Sequence, residues 1–211
     1  MSDVIERAAP AADEDSSKRR QIIEGARKVF LERGFDAASM VEIARVAGVS
    51  KGTLYVYFKD KEGLFEAIVG LQCRAQAQQI FNLDPENHDV ETVLTRLGVE
   101  FVQFLCRPGG SSALRTVIAI AERMPELGRQ FYETGPAFGI GQLKAYLSAQ
   151  VAAGVLKVED CEVAAAQFID SCVATVFRPI LFNFGTPPTL ERTEHVVKIA
   201  VRVFLAAYLV R

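Results

Sequence analysis

Apolar residues recur at the three- and four-residue spacing of α-helices along almost the whole chain. The first run ends at Gly34 and comprises Ile22, Ile23, Ala26, Val29 and Phe30. Residues 1–16 show no such period and are predicted to be disordered. No stretch of useful length alternates between apolar and polar residues as a half-buried strand would. The pattern therefore predicts an all-α fold.

Two shorter helices with recognisable caps follow the first one. Ser39 precedes the second helix and Glu42 stands three residues later, which is the pattern of a capping box. Gly48 ends that helix, and Ser50 caps a third helix over residues 51–57. The small residues of the intervening segment AGVS let the two helices cross closely, so the pair is predicted to form a helix-turn-helix.

Longer helical patterns occupy the rest of the chain. A fourth helix is predicted from Lys61 to about Phe81. Further helices are predicted near residues 89–106, 111–124, 126–151, 160–184 and 189–210. Segments rich in Gly and Pro, such as RPGGS and FGTPPT, separate them.

Charge is divided unevenly along the chain. The net charge is −2, yet residues 18–61 contain ten Lys and Arg against five Asp and Glu. That segment therefore carries +5, and the remainder carries −7. Such an asymmetry is typical of a basic module on an acidic body and makes a polyanion a plausible partner of the first module.

The segment VSKGTLYVYFKDKEGLF, residues 49–65, contains an unusual set of polar and aromatic side chains. In a helix that begins at residue 51, Leu54 and Phe58 lie one turn apart and can be buried. Tyr55 and Tyr57 then point outward, and the tip of the helix consists of Lys51, Gly52 and Thr53. A tip of this kind fits the major groove of B-DNA, whereas the alternative is an ordinary helical hairpin with a solvated charged face.

Each of these side chains has a chemical role on DNA. Lys51 can donate to guanine O6 or N7, and Thr53 to a phosphate or a base edge. Gly52 has no side chain, so the protein backbone can come close to the DNA at this position. The two tyrosine hydroxyls can donate to phosphates, and Lys61 with the free amides of its helix start can bind another phosphate.

Residues 18–65 resemble the N-terminal DNA-binding domain of the TetR family of bacterial transcriptional regulators, above all in AGVSKGTLYVYFKDKEGLF. The resemblance implies a dimer on a palindromic operator and a helical C-terminal domain that senses a small molecule. By position, it assigns DNA contacts to Ser39, Met40, Ser50, Lys51, Gly52, Thr53, Tyr55, Tyr57 and Lys61. Met40 and Val41 are apolar where the family often has a polar residue. Arg19 lies in the basic cluster of residues 18–20, which either contacts DNA or is a solvated helix start.

The C-terminal half is similar to the AefR-like subgroup of the same family in AERMPEL, FYETGP and AAGVLKVEDCEVAAAQF. We therefore predict three segments. Residues 1–16 are a disordered tail, residues 17–62 a helix-turn-helix DNA-binding domain, and residues 63–211 a helical domain for ligand binding and dimerisation.

The last two helices are apolar over more than one narrow stripe, which favours burial on two sides and a four-helix bundle between two subunits. The predicted dimer interface comprises Cys172, Val176, Phe177, Ile180, Val196, Ala200, Val203, Phe204 and Ala207. A monomer is the alternative.

A ligand pocket is predicted between the DNA-binding module and the dimer interface. Its lining comprises Phe101, Phe104, Ile118, Glu122, Phe131, Tyr132, Phe138 and Phe168. Such a lining suits a hydrophobic or aromatic ligand, with Glu122 orienting a polar group. The alternative is that the phenylalanines are ordinary core and Glu122 belongs to an ion pair.

Other classes of protein find little support in the sequence. Two scattered histidines, no nucleophile motif and no metal-ligand spacing give no catalytic or cofactor site. No uncharged run approaches the ~18 residues of a membrane span. The four cysteines are expected to be reduced thiols in a cytoplasmic protein. We predict a ligand-released repressor, with a ligand-independent regulator or activator as the alternative, and a helical enzyme as a weaker one.

Overall fold

The computed structural model describes residues 10–210, except that the side chains of residues 10–14 and 69–75 are not described. Within that range the chain is all-α and contains no β-strand. It divides into two compact units at the peptide bond between Val69 and Gly70. In the described range, no helix combines the length and apolarity needed to span a membrane.

The first unit contains three helices and the start of a fourth. Their bounds are α1 Pro10–Ala37, α2 Met40–Ala47, α3 Lys51–Tyr57 and α4 Lys61–Ile80. Helix α1 breaks at Gly34, whose φ of 75° only glycine adopts without strain. Helix α1 begins at Pro10 and so includes residues 10–16 of the predicted tail, whereas residues 1–9 lie outside the described range. A proline at a helix start and the alanines that follow it favour this extension.

A cluster of three phenylalanine rings forms part of the core of the first unit. The ring of Phe65 on α4 lies 5.6 Å from that of Phe30 and 5.3 Å from that of Phe35, both on α1. The first turns of α4 therefore belong to this unit. This packing explains why the boundary lies seven residues beyond the predicted one at residue 62.

The second unit is built from the end of α4 and seven further helices. Their bounds are α5 Val90–Cys106, α6 Gly110–Ile120, α7 Pro125–Tyr132, α8 Phe138–Ala152, α9 Cys161–Val173, α10 Arg178–Leu181 and α11 Leu190–Tyr208. A π-helical turn over Glu133–Ala137 joins α7 to α8. Helices α5, α8, α9 and α11 pack around one apolar core.

Prolines divide two helices that the apolar pattern predicts to be continuous. Pro136 lies in the π-helical turn that interrupts the predicted helix 126–151. Pro179 follows a turn over residues 174–177, where the predicted helix 160–184 is broken. Proline lacks the amide of an α-helical hydrogen bond and its ring clashes with the preceding turn, so both breaks have a local cause.

Candidate nucleic-acid interface

Helix α3 is held by a serine cap at one end and buried side chains on one face. The Ser50 hydroxyl accepts from the amide of Thr53 at 3.0 Å, and the two hydroxyl oxygens lie 2.7 Å apart. Leu54 and Phe58 are buried, which fixes the rotation of the helix about its axis. Lys51 and Tyr55 are exposed, with the Lys51 ammonium 5.9 Å from the Tyr55 ring centre. Of the predicted contacts on this helix, Lys51, Gly52 and Tyr55 are thus accessible, whereas Thr53 and Tyr57 are half-buried.

Gly52 has no structural role inside the protein that would demand glycine. It is exposed, and a Cβ atom placed on it would have Ser50 Oγ, at 3.8 Å, as its nearest described neighbour. Its φ is not positive, so alanine is conformationally acceptable there. The described part of the chain would therefore accommodate an alanine at residue 52.

Helix α2 is positioned by its cap and by an ion pair. The Ser39 hydroxyl accepts from the amide of Glu42 at 3.3 Å. The Glu42 carboxylate lies 2.9 Å from Arg33 Nε. Ser39 is exposed and Met40 is half-buried, so of the two predicted α2 contacts Ser39 is the more accessible.

The far end of α3 lies beside the N-terminal part of α1. The Arg19 guanidinium stacks over the Phe58 ring at 5.2 Å from its centre. Tyr57, which is half-buried, makes a hydrogen bond to the Asp15 carboxylate, and this bond raises the pKa of Tyr57. Arg19 therefore lies next to the end of α3, and the Tyr57 hydroxyl already has an acidic partner.

Lys61 occupies a different position from that expected of a phosphate ligand. Its ammonium points at backbone carbonyls of residues 35–38 and over the Phe35 ring.

Two further residues on these helices are highly exposed but are not among the predicted DNA contacts. Val56, on α3, is 80% exposed and stands one turn beyond Gly52. The side chain of Arg45, on α2, is 75% exposed. Helical spacing from Gly52 points to Val56, and the excess of basic residues in this segment points to Arg45.

The predicted pocket residues do not share one environment. Phe168 is buried against Phe204, with ring centres 5.7 Å apart, and Phe101 packs against Phe81 at 5.6 Å. By contrast Ile118, Glu122 and Tyr132 are exposed. Phe104, Phe131 and Phe138 are half-buried. The set is thus part core and part surface.

An open groove of about 450 Å³ lies elsewhere in the second unit, between the end of α4 and α5. Its lining is Gln76, Gln79, Ile80, Arg96, Glu100, Gln103, Phe104 and Arg107, so it shares Phe104 with the predicted pocket. The Arg96 guanidinium bridges Glu100 and the carbonyl of Asn82. The groove is more polar than the predicted lining.

The residues of the predicted dimer interface divide between the core of the chain and its surface. Six of the nine residues are buried in the core of the chain itself: Cys172, Val176, Phe177, Val196, Ala200 and Phe204. Helices α9 and α11 use their broad apolar faces to pack on α5 and on each other, so these six residues have little exposed surface in the single chain. Ile180 is half-buried, whereas Val203 and Ala207 remain exposed on α11.

Comparison with known protein families gives two matches along the chain. Residues 22–68 match the model of the bacterial regulatory proteins of the tetR family. Residues 92–210, more than half of the chain, match the C-terminal domain of AefR-like transcriptional repressors. The two matches correspond to the two structural units.

Individual relatives agree with these matches. The repressor AcnR of Corynebacterium glutamicum is 34% identical over 83 residues, which are 39% of this chain and 42% of AcnR. Among solved structures, a TetR-family transcriptional regulator from Mesorhizobium loti is 29% identical, with a TM-score of 0.85 over 92% of this chain and 98% of that one. The flavonoid-responsive regulator FrrA is 31% identical, with a TM-score of 0.75 over 93% and 99% of the two chains. The chain thus spans less than half of the curated repressor AcnR but nearly all of the two regulators of solved structure.

Proposed function

The chain belongs to the TetR family of bacterial transcriptional regulators, and we propose that it is a repressor that binds a palindromic operator as a dimer and is released by a small ligand. Members of this family regulate transcription and are not enzymes, which removes the enzyme alternative. Such a regulator would act in the cytoplasm.

The exposed face of α3 is the observation that carries the proposal. Lys51, Gly52 and Tyr55 lie together on this face, and the burial of Leu54 on the other side holds it outward. A short helix with a basic, uncrowded tip matches what the major groove accepts. Lys51 would contact a guanine in the groove. The side chains of Ser39, Ser50, Thr53 and Tyr57 would bind the phosphate backbone of the DNA.

A dimer would place two such helices about 34–36 Å apart, one turn of B-DNA. Its interface would involve the exposed residues Val203 and Ala207 of α11, together with Ile180, and not the residues buried in the chain itself. Isologous contact between two copies of α11 gives the twofold symmetry that a palindrome requires.

A hydrophobic or aromatic effector is proposed on two grounds. FrrA, which is similar over nearly the whole chain, is a flavonoid-responsive regulator. The half-buried rings of Phe104, Phe131 and Phe138 would supply aromatic contacts in the second unit. An effector that favours one arrangement of α4 by ~1–3 kcal/mol would change operator affinity roughly 5- to 150-fold.

A regulator that needs no ligand is the second candidate. The burial of Phe168 in the core, the packing of Phe101 against Phe81, and the exposure of Ile118 and Tyr132 favour it over a preformed apolar pocket.

Selection of duplexes from a random-sequence pool by the purified protein tests the proposal. Enrichment of an inverted repeat with half-sites about one turn apart is the expected result. Enrichment of no sequence, or of an unrepeated one, would contradict a dimeric operator reader. Repeating the selection with a panel of flavonoids and related aromatic compounds separates the two candidates, because only the ligand-released repressor loses its enriched duplexes.

A further inference from the structure

The ammonium of Lys61 is committed to the chain's own backbone. Its Nζ donates to the carbonyl oxygens of Phe35 at 3.0 Å, Asp36 at 3.1 Å and Ala38 at 3.5 Å. A lysine ammonium has three N–H donors, so these three acceptors use all of them. The ammonium also lies 4.7 Å from the centre of the Phe35 ring, within the range of a cation–π contact.

An acidic side chain also lies at the start of α4. The Asp60 carboxylate accepts from the amide of Gly63 at 2.8 Å, which caps the helix. A phosphate site at a helix start depends on available amides and a positive local potential. At this helix start, the Asp60 carboxylate already uses one of these amides and its negative charge disfavours a phosphate.

We infer that Lys61 is a positioning residue that fastens the first turn of α4 to the turn between α1 and α2, and that it does not bind a DNA phosphate. Phe65, one turn further along α4, packs its ring on the same Phe35. Ser39, the cap of α2, directly follows Ala38, whose carbonyl Lys61 holds. Lys61 and Phe65 thus tie α4 to the end of α1 and to the residues that lead into α2.

This arrangement gives α4 a means of controlling the helix-turn-helix. Helix α4 is continuous from Lys61 to Ile80 and crosses the boundary between the two units. A displacement of α4 would therefore pull on the carbonyls of residues 35–38 and shift the start of α2. This step rests on the proposed function, because it needs an effector that moves α4.

Hydrogen exchange of the DNA-free protein tests whether Lys61 fastens α4 to the backbone of residues 35–38. Lys61→Met keeps the unbranched stem but removes the ammonium, and Lys61→Arg keeps the charge but not the compact three-donor geometry. Amides of residues 35–43 are expected to exchange roughly tenfold faster in both variants, because hydrogen bonds to a charged group are lost. The control Lys59→Met, at an exposed lysine two residues away, should exchange like the parent. Parent-like exchange in both Lys61 variants would overturn the inference.

Salt-dependent binding to the enriched duplex separates positioning from phosphate contact. Loss of a phosphate contact lowers the slope of log K against log salt by about 0.9, and arginine restores such a contact. If Lys61 is a positioning residue, both Lys61 variants should bind the duplex more weakly than the parent does. Their slope of log K against log salt should equal that of the parent. A reduced slope in Lys61→Met that Lys61→Arg restores would overturn the inference. If the parent selects no duplex, the proposed function fails, while the exchange experiment still decides the role of Lys61.

Discussion

Helices α1 and α2 cross at Gly25 and Ala47 so closely that a Cβ atom on Gly25 would lie 2.5 Å from the Cβ of Ala47. The nearby side chain of Gln21 donates from Nε2 to the Ala47 carbonyl at 2.7 Å, which closes the end of α2. The angle of the helix-turn-helix therefore depends on the absence of a side chain at residue 25.

Gly25→Ala is expected to lower the free energy of unfolding of the first unit by ~1–3 kcal/mol, because the added methyl group overpacks a backbone crossing. Thermal denaturation followed by circular dichroism measures it. Gly141→Ala is the matched control, since a Cβ on Gly141 would meet no described atom within 4 Å. Helix propensity predicts that the control is stabilised by up to ~1 kcal/mol. Equal melting temperatures for the two variants would contradict the close crossing.

Gly52→Ala is expected to separate stability from DNA binding. The new Cβ would make only an ordinary contact, with Ser50 Oγ at 3.8 Å, so stability should stay the same or rise by up to ~1 kcal/mol. Operator affinity should fall by at least about tenfold, equal to ~1.4 kcal/mol, because the methyl group would prevent close approach of the backbone. Melting curves and anisotropy titrations of one preparation measure both. Parent-like operator binding would show that the tip of α3 does not face the DNA.

Val203→Glu should abolish dimerisation and leave the fold intact, because Val203 is 62% exposed and a carboxylate there opposes its symmetry mate. Its neighbour is the matched comparison: Phe204 is 5% exposed and packs on Phe168 and Tyr208. Phe204→Ala should therefore cost ~3–5 kcal/mol of stability. Sedimentation velocity together with denaturation distinguishes the two effects. A Val203→Glu protein that remains dimeric would contradict the proposed interface.

Asp15→Asn is expected to strengthen binding to all DNA sequences roughly two- to fivefold at low salt, because it removes a negative charge from the partner of the Tyr57 hydroxyl. The gain should shrink at high salt, where exposed charges are screened. Glu159→Gln, an exposed charge in the second unit, is the control and should have no comparable effect. Weaker binding by Asp15→Asn would contradict this expectation. It would mean that the Asp15–Tyr57 contact holds α3 in the orientation that binds DNA, and that Asp15 does not compete with DNA for Tyr57.

Features of the fold that depend on local chemistry were predictable. The serine caps at residues 39 and 50 and the glycine stops at residues 34 and 48 are confirmed, and the third helix has the predicted bounds. Each depends on a side chain or backbone preference that acts within a few residues. The all-α fold was accessible from the helical spacing of apolar residues, and the family from the resemblance of residues 18–65 to its DNA-binding domain.

Features that depend on distant partners were not predictable. Phe204 and Val203 are neighbours of the same apolar character, and only the packing of α11 on α5 and α9 decides which is core. The acceptors of Lys61 are backbone carbonyls at residues 35–38, and carbonyls have no sequence signature. The lining of a ligand pocket could not be predicted from the sequence for a similar reason, because large apolar residues suit a core and a ligand site equally.

Fluorescence-anisotropy titration against the DNA upstream of the protein's own gene tests the central claim most directly. A random duplex of equal length and the Lys51→Ala, Tyr55→Ala double variant serve as controls, at two salt concentrations. We expect binding that is selective for the upstream duplex, weakens with salt and loses its selectivity in the folded double variant. Equal binding of the parent and the double variant to both duplexes would contradict the account of α3 as an operator reader.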